Sequence, residues 1–161
     1  MEVKDVMTPD VVCCHPDSSL EVAGKRMLER RCGVLPVVDQ AGKAVGMISD
    51  RDIAMAAVTR ERNAAHISVH ETMGRELRAC QPGDQVGDAL KKMVDGCVRR
   101  LPVLDDDGQL VGILSIEDLA LRAVGNDQGI DRADFFDAFK QLCQRPDPEA
   151  AIDLSDTMTP G

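Results

Sequence analysis

The first 31 residues combine a short apolar run with a stretch in which apolar residues recur at helical spacing. Branched residues dominate the run at 11–14, which predicts a strand that Pro16 ends. Leu20, Ala23, Met27 and Leu28 fall on one face of a helix, which the spacing predicts over residues 19–31.

The following stretch predicts a hairpin and a second helix. The apolar run Val34–Val38 is typical of a strand at a sheet edge, because Pro36 has no N–H to donate. Turn-forming residues occupy 39–42, and the apolar run at 45–48 returns as the second strand of the hairpin. Ser49 then opens a helix that continues to residue 58. The predicted order is β-α-β-β-α.

The chain matches itself, without a gap, at an offset of 66 residues. Residues that recur at this offset include Met7, Leu35-Pro36-Val37, Asp39, Gly46, Ser49 and Asp52. The chain therefore consists of two copies of one unit, at 1–62 and 67–125, followed by a segment at 126–161 with no counterpart. The second copy predicts strands at 77–80, 100–104 and 110–114, and helices at 86–95 and 115–124. One three-stranded sheet with two helices buries one face well, so the copies should pack together in a mixed α/β (α+β) body.

The third segment contains all three phenylalanines of the protein, Phe135, Phe136 and Phe139. With Ile130, Leu142 and Cys143 they form an apolar stripe on a helix that we predict over residues 132–144, with a polar, mobile tail at 151–161. Such an apolar stripe must be buried, either against its own module or against a second copy of the chain.

Composition and charge exclude several classes of function. The net charge of −9 and the lack of Trp and Tyr disfavour nucleic acid and anionic membranes as partners. No apolar run approaches the ~20 residues of a membrane span, and the start has no signal-peptide pattern, so we expect a cytoplasmic protein. No P-loop, G-x-G-x-x-G or catalytic constellation is present, so we expect no enzyme.

Six cysteines are present and none forms a C-x-x-C pair, so we interpret them as reduced thiols that mostly fill the core. The triplet Cys13-Cys14-His15 could hold a soft metal, but it supplies too few ligands by itself. We therefore predict no metal site, and keep a thiol or metal sensor as a third, minor hypothesis.

Both copies carry the pattern L-P-V-x-D, then G-x-x-S-x-x-D, which resembles the CBS-domain family. The first copy reads Leu35-Pro36-Val37-Val38-Asp39 and Gly46-Met47-Ile48-Ser49-Asp50-Arg51-Asp52, and the second repeats this frame from Leu101 and from Gly112. The opening Val6-Met7-Thr8-Pro9 also resembles the start of such domains. The resemblance implies a pseudo-twofold disc with two clefts. It also implies an adenosine-containing ligand: AMP, ADP or ATP, with S-adenosylmethionine or NAD as further options.

The residue chemistry is consistent with such a ligand. Glycines at 46 and 112 leave room beside the backbone, and Ser49 and Ser115 lie at helix starts, where free N–H groups favour anions. Asp52 and Asp118 could accept the hydroxyl protons of a ribose. The plain alternative is that each Ser-x-x-Asp is only a capping box, and the two roles are compatible. The candidate ligand-binding residues are Val34, Pro36, Gly46, Ser49, Arg51, Asp52, Arg99, Arg100, Pro102, Gly112, Ser115 and Asp118.

The two copies differ where a phosphate would bind. The first motif contains Arg51 where the second has Glu117, and Arg99-Arg100 precede the second L-P-V. If the copies face each other as the resemblance implies, these arginines gather at the cleft of Ser49 and Asp52, which we predict to be the phosphate-bearing one. The alternative is that Arg99 and Arg100 are solvated or pair with surface carboxylates.

These features favour a regulatory protein that senses an adenosine ligand and signals to a regulated partner by a change of shape. The alternative is a ligand-free structural or dimerisation module that docks a partner through its apolar tail. A homodimer is expected in either case, because twofold symmetry is the commonest way to cover such faces.

Overall fold

The structure is a computed structural model, and it describes residues 1–144. Its regular elements are α1 (Leu20–Arg30), β1 (Val34–Val38), β2 (Ala44–Ser49), α2 (Asp50–Thr59), α3 (Val86–Asp95), β3 (Arg100–Leu104), β4 (Leu110–Ser115), α4 (Ile116–Arg122) and α5 (Arg132–Cys143). Single-turn 3-10 helices occupy Val3–Asp5, Ala64–His66 and Val69–Glu71. The mixed α+β class is confirmed, and so is the repeated order of helix, hairpin and helix in the two copies. The polar tail predicted behind α5 lies outside the described residues.

Each copy, called repeat 1 and repeat 2 below, is built on an antiparallel hairpin. Strand β1 pairs with β2, with Val34 opposite Ser49, and β3 pairs with β4 in the same register, with Arg100 opposite Ser115. Gly42 and Gly108 have positive φ in the two turns, which a side chain would disfavour. This shared register brings each Ser-x-x-Asp motif to the first turn of the helix that follows its hairpin.

The strands predicted at 11–14 and 77–80 are wrong: each run contributes a single parallel bridge. Cys14 pairs with Val37, and Cys80 pairs with Val103. The N–H of Cys14 donates to the carbonyl of Pro36, and the N–H of Val38 donates to the carbonyl of Cys14. The next ladder bond would need a donor at Pro36, which has none, so the pairing stops after one residue.

Two short segments cross from one repeat to the other. The segment around Val3–Asp5 lies on repeat 2, where the N–H of Val3 donates to the carbonyl of Asp84 and Thr8 pairs with Ile113. The segment around Val69–Glu71 lies on repeat 1, where Gly74 pairs with Met47. The segment that opens each repeat in the sequence therefore packs on the other repeat, and the two repeats are interlocked.

The hydrophobic core follows this exchange and forms two clusters. Repeat 1 buries Leu20, Leu35 and Ile48 together with Ile67 and Val69 from the crossing segment. Leu28, which the spacing placed on the apolar face of α1, is exposed instead. Repeat 2 buries Leu101, Leu114 and Leu119 together with Val3 and Val6 of the first crossing segment. Ile130 and, from α5, Ala138 also belong to this cluster. The burial of each such side chain contributes ~1.5–3 kcal/mol to the stability of the fold. The crossing segments therefore stabilise the fold as well as connecting the two repeats.

Helix α5 packs against α3 and covers the helical face of repeat 2. Phe135 and Leu142 lie against the repeat 2 cluster, and Ala138 is buried. The predicted Phe stripe is thus divided, because Phe136 and Phe139 stay exposed on the outer side of α5. Among residues 1–144 no helix is long and apolar enough to cross a bilayer.

Candidate functional site

Each Ser-x-x-Asp motif forms a reciprocal capping box at a helix start. The Ser49 hydroxyl oxygen accepts from the N–H of Asp52 at 3.2 Å, and Oδ2 of Asp52 accepts from the N–H of Ser49 at 2.8 Å. Ser115 and Asp118 repeat the arrangement at 3.1 and 3.0 Å. The capping interpretation is therefore confirmed at both positions, and it uses one carboxylate oxygen of each aspartate.

The second oxygen, Oδ1, distinguishes the two aspartates. Oδ1 of Asp118 lies 3.4 Å from the Thr8 hydroxyl, which donates to it, and 3.6 Å from Nη1 of Arg122. Within residues 1–144, Oδ1 of Asp52 has no hydrogen-bond partner. The positions that correspond to Thr8 and Arg122 hold Gly74 and Ala56, which have no polar side chain to offer.

The space beside Gly46 and Gly112 is filled by the crossing segments, which corrects the expectation that it is open to a ligand. A Cβ at Gly46 would lie 2.6 Å from the carbonyl oxygen of Gly74. A Cβ at Gly112 would lie 2.7 Å from Sδ of Met7 and 3.1 Å from the carbonyl oxygen of Thr8. These glycines allow two backbones to approach each other.

The three arginines predicted to gather around one phosphate lie apart. Arg99 extends to α5, where its Nη2 lies 3.8 Å from Sγ of Cys143. Successive side chains of an extended chain point to opposite faces, so Arg100 points the other way, and its Nη2 lies 3.3 Å from Oε1 of Glu117. No side-chain contact joins Arg51 to either of them within the described part of the chain, and its own N–H donates to Asp50. The predicted cluster at Asp52 is therefore not formed.

A cavity of about 200 Å³ opens between the repeats, and Thr8, whose hydroxyl donates to Asp118, is one of its lining residues. Its apolar wall comes from both repeats, with Val34 and Leu35 facing Ile113. The residues that line it are Thr8, Asp10, Val11, Val12, Arg30, Cys32, Val34, Leu35, Arg100 and Ile113. The charged residues of this lining are Arg30, Arg100 and Asp10, and Arg100 is also paired with Glu117. We call this site the Asp118 cleft, and we call the equivalent place at Ser49, Asp52 and Gly74 the Asp52 cleft.

The predicted strand prolines lie one residue behind this wall. Pro36 and Pro102 are buried, and their carbonyls accept from Cys14 and Cys80, so they shape the strands without lining the cavity. Sequence reasoning missed Thr8, Arg30 and Arg122. Thr8 was visible in the Val6-Met7-Thr8-Pro9 start, but its place on repeat 2 depends on the crossing of the segment, which no local pattern reveals.

The Cys13-Cys14-His15 triplet is spread over different surroundings. Cys14 is buried, and burial raises the pKa of its thiol to about 11, so the thiolate that a soft metal needs is scarce at neutral pH. Nδ1 of His15 lies 3.0 Å from the carbonyl oxygen of Val38, a contact that engages one ring nitrogen. No cluster of metal-ligating side chains occurs among the residues that the structure describes.

Comparison with known proteins decides the family. The family model for the CBS domain matches residues 3–59 and again residues 67–125. The chain belongs to the CBS domain family. It is 36% identical over 125 residues to a CBS domain-containing protein, YhcV of Bacillus subtilis (strain 168), an alignment that covers 78% of this chain and 87% of that protein.

Solved structures of CBS pairs have the same architecture. The CBS domain pair of protein MJ0100, crystallised in complex with 5′-methylthioadenosine and S-adenosyl-L-methionine, superposes with a TM-score of 0.68 at 29% identity, covering 75% of this chain and 94% of that one. Some relatives of this CBS pair are enzymes, but they match it only through a small part of their length. The homoserine O-acetyltransferase of Methanohalophilus mahii is 29% identical to it over 24% of that protein and 74% of this chain. CBS pairs as such are regulatory modules, and the enzyme names among the relatives belong to proteins of which the pair matches only a small part.

Proposed function

We propose that this CBS pair is a sensor that binds an adenosine-containing ligand in the Asp118 cleft and passes a change of shape to a regulated protein. The observation that carries the proposal is the cavity between the repeats, which combines an apolar wall with Thr8, Arg30 and Arg100. An apolar slot with a few convergent polar groups is the usual form of a small-molecule site. The ligand in the MJ0100 pair supports the choice of adenosine compounds.

The cleft offers a partner for each part of an adenine nucleotide. The aliphatic wall at Val34 and Ile113 suits the base, and the carboxylate of Asp118, which Thr8 links to the cavity, suits the ribose hydroxyls. Arg30 and Arg100 suit the phosphate, because guanidinium groups bind phosphate through two parallel hydrogen bonds. At about 200 Å³ the cavity is smaller than the ~300–1,000 Å³ typical of ligand sites, so the ligand must extend over the open rim toward Asp118.

A ligand at Asp118 would also act on the crossing segment. A ribose competes with Thr8 and Arg122 for Oδ1 of the carboxylate. Nη1 of Arg122 simultaneously donates to the carbonyl of Val6 at 2.7 Å, which fastens this segment to repeat 2. We propose that release of these contacts is the shape change that a partner reads.

Calorimetric titration with AMP, ATP, S-adenosylmethionine and adenosine tests the ligand assignment. Arg100→Ala should weaken AMP binding roughly 10- to 150-fold, the loss of a charge-assisted hydrogen bond of ~1.5–3 kcal/mol, and leave adenosine binding unchanged. Arg99→Ala is the matched control, because its side chain reaches α5 instead, and it should bind AMP like the wild type. Equal affinity in both variants would refute the assignment to this cleft.

A second function, a ligand-free module that docks a partner, is favoured by the exposed Phe136 and Phe139 on α5. The titration separates the two, because this function predicts no heat and no rise in melting temperature with any adenosine compound. We also propose that the protein is a homodimer. The free cysteines found within residues 1–144 support a reducing compartment, and we propose that this is the cytoplasm.

A further inference from the structure

Repeat 1 has an open groove on its helical face. The groove lies between α1 and α2 and encloses about 490 Å³, and its lining includes Leu28, Arg31, Gly33, Asp50 and Ile53. Leu28 at its edge is 80% exposed. Exposed apolar surface of this kind is typical of an interaction site.

The same face of repeat 2 is covered, which shows what fits there. The positions 66 residues after Leu28 and Ile53 are Val94 and Leu119, and both belong to the cluster against which α5 packs. Arg99, the counterpart of Gly33 in the groove, contacts Cys143 at the end of α5. The duplicated face therefore accepts an amphipathic helix, and repeat 1 lacks one of its own among residues 1–144.

The outer side of α5 forms an apolar ridge. Phe136 is 58% exposed, and Phe139 beside it stacks on Phe135 with ring centroids 6.1 Å apart. Nζ of Lys140 lies 4.8 Å from the centroid of the Phe136 ring and 3.3 Å from Oδ1 of Asp137. The ridge thus consists of aromatic rings flanked by one cation and one carboxylate.

We propose that the α5 ridge of a second copy fills the repeat 1 groove, and that a twofold axis makes the contact twice. Each copy offers one groove and one ridge, so a head-to-tail pair uses both and closes. The charges match, because the groove carries Arg31 and Asp50 to face Asp137 and Lys140. A pair that joined repeat 1 to repeat 1 would place groove against groove and leave both unfilled. This arrangement goes beyond the proposed ligand site and does not depend on it.

Light scattering on two variants and their mixture tests the arrangement. The wild type should have a mass of about 35 kDa, twice 17.4 kDa. Leu28→Asp and Phe136→Lys should each weaken the pair by about tenfold or more, because each buries a charge against an apolar surface. Mixed in equal amounts, the two variants should form the pair again. In the mixed pair, one groove and ridge are both unchanged, and in the other contact the new Asp faces the new Lys.

Each alternative outcome contradicts the proposal in a distinct way. A wild-type monomer at high concentration excludes the pair, and a dimer insensitive to both substitutions excludes these surfaces. Loss of the dimer without recovery on mixing shows that like faces meet. Leu121→Asp is the control, because Leu121 is 83% exposed on α4, outside both groove and ridge, and should not change the mass. Circular dichroism checks folding, which exposed positions should not disturb.

Discussion

The Asp52 and Asp118 clefts share one backbone design and differ in what surrounds the carboxylate. Both aspartates cap a helix through a serine three residues earlier. Asp118 is held on its second oxygen by Thr8 and Arg122, whereas the residues at those positions in repeat 1 are Gly74 and Ala56. Duplication has thus preserved the groups that the fold needs and changed the groups that a ligand would meet.

The difference extends to the cations. Arg30 lines the Asp118 cleft, and its counterpart in repeat 2 is Gly96. Arg78 packs over Gly96 from another segment and is already paired with Glu76 at 2.8 Å. Two repeats with the same backbone arrangement can therefore differ in the charges around a cleft, because the backbone does not determine which side chains are charged.

The largest expected effect concerns the two close backbone approaches. Gly46→Ala should destabilise the protein by about 2–3 kcal/mol, because the new methyl group meets the backbone carbonyl of Gly74. Gly112→Ala should cost about 1 kcal/mol, because the flexible Met7 side chain can move away. Urea unfolding of both variants measures the difference, and a larger loss at Gly112 would reverse this view of the crossing segments.

Removal of the two aspartate side chains should lower the free energy of unfolding by unequal amounts. Asp118→Ala should lower the free energy of unfolding by more than the ~0.5–2 kcal/mol expected for a lost cap, since it also frees Thr8 and Arg122. Asp52→Ala should cost the cap alone. In the same samples, AMP affinity should fall with Asp118→Ala and persist with Asp52→Ala. The opposite pattern would move the ligand to the Asp52 cleft, as the sequence by itself suggested.

A smaller effect is expected where arginines fasten the crossing segments. Arg122→Ala removes the donor to Val6 and should cost ~0.5–1.5 kcal/mol, with faster amide exchange confined to the first eight residues. Arg62→Ala, whose side chain donates to Glu71 at 2.9 Å, is the matched change on the other segment. It should accelerate exchange around Val69–Glu71 instead. Uniform acceleration over the chain would show that the segments do not open separately.

The smallest difference is between the buried thiols of the two repeats. Burial raises the pKa of Cys14 to about 11 and that of Cys80 to about 12. Both thiols are therefore almost entirely protonated near pH 8, and Cys80, whose pKa burial raises further, should react more slowly with a disulfide reagent. Both rates should rise with pH toward these values. Equal rates at pH 8 would mean that local opening, rather than ionisation, limits the reaction.

Much of the fold could be predicted because its signals are local. The helices at Leu20–Arg30 and Val86–Asp95 and both hairpins follow from apolar spacing and turn residues, and the capping boxes follow from Ser-x-x-Asp. The first strands could not be predicted correctly, because their pairing ends at a proline on the neighbouring strand. Arg51, Arg99 and Arg100 do not lie together as predicted. Adjacent residues of an extended chain face opposite ways, and the Arg99 side chain contacts α5 instead.

The amino-acid sequence by itself determined the duplication, the family pattern and the helix caps, since these depend on residues close together in the chain or repeated at one offset. Only the tertiary structure decided which repeat each crossing segment covers and which aspartate is engaged. It also decided that α5 covers repeat 2 and leaves the repeat 1 groove open. These features depend on contacts between residues that are distant in the chain, such as Thr8 with Asp118 and Arg99 with Cys143. Such pairs are chosen by how surfaces bury one another, and no local pattern encodes that choice.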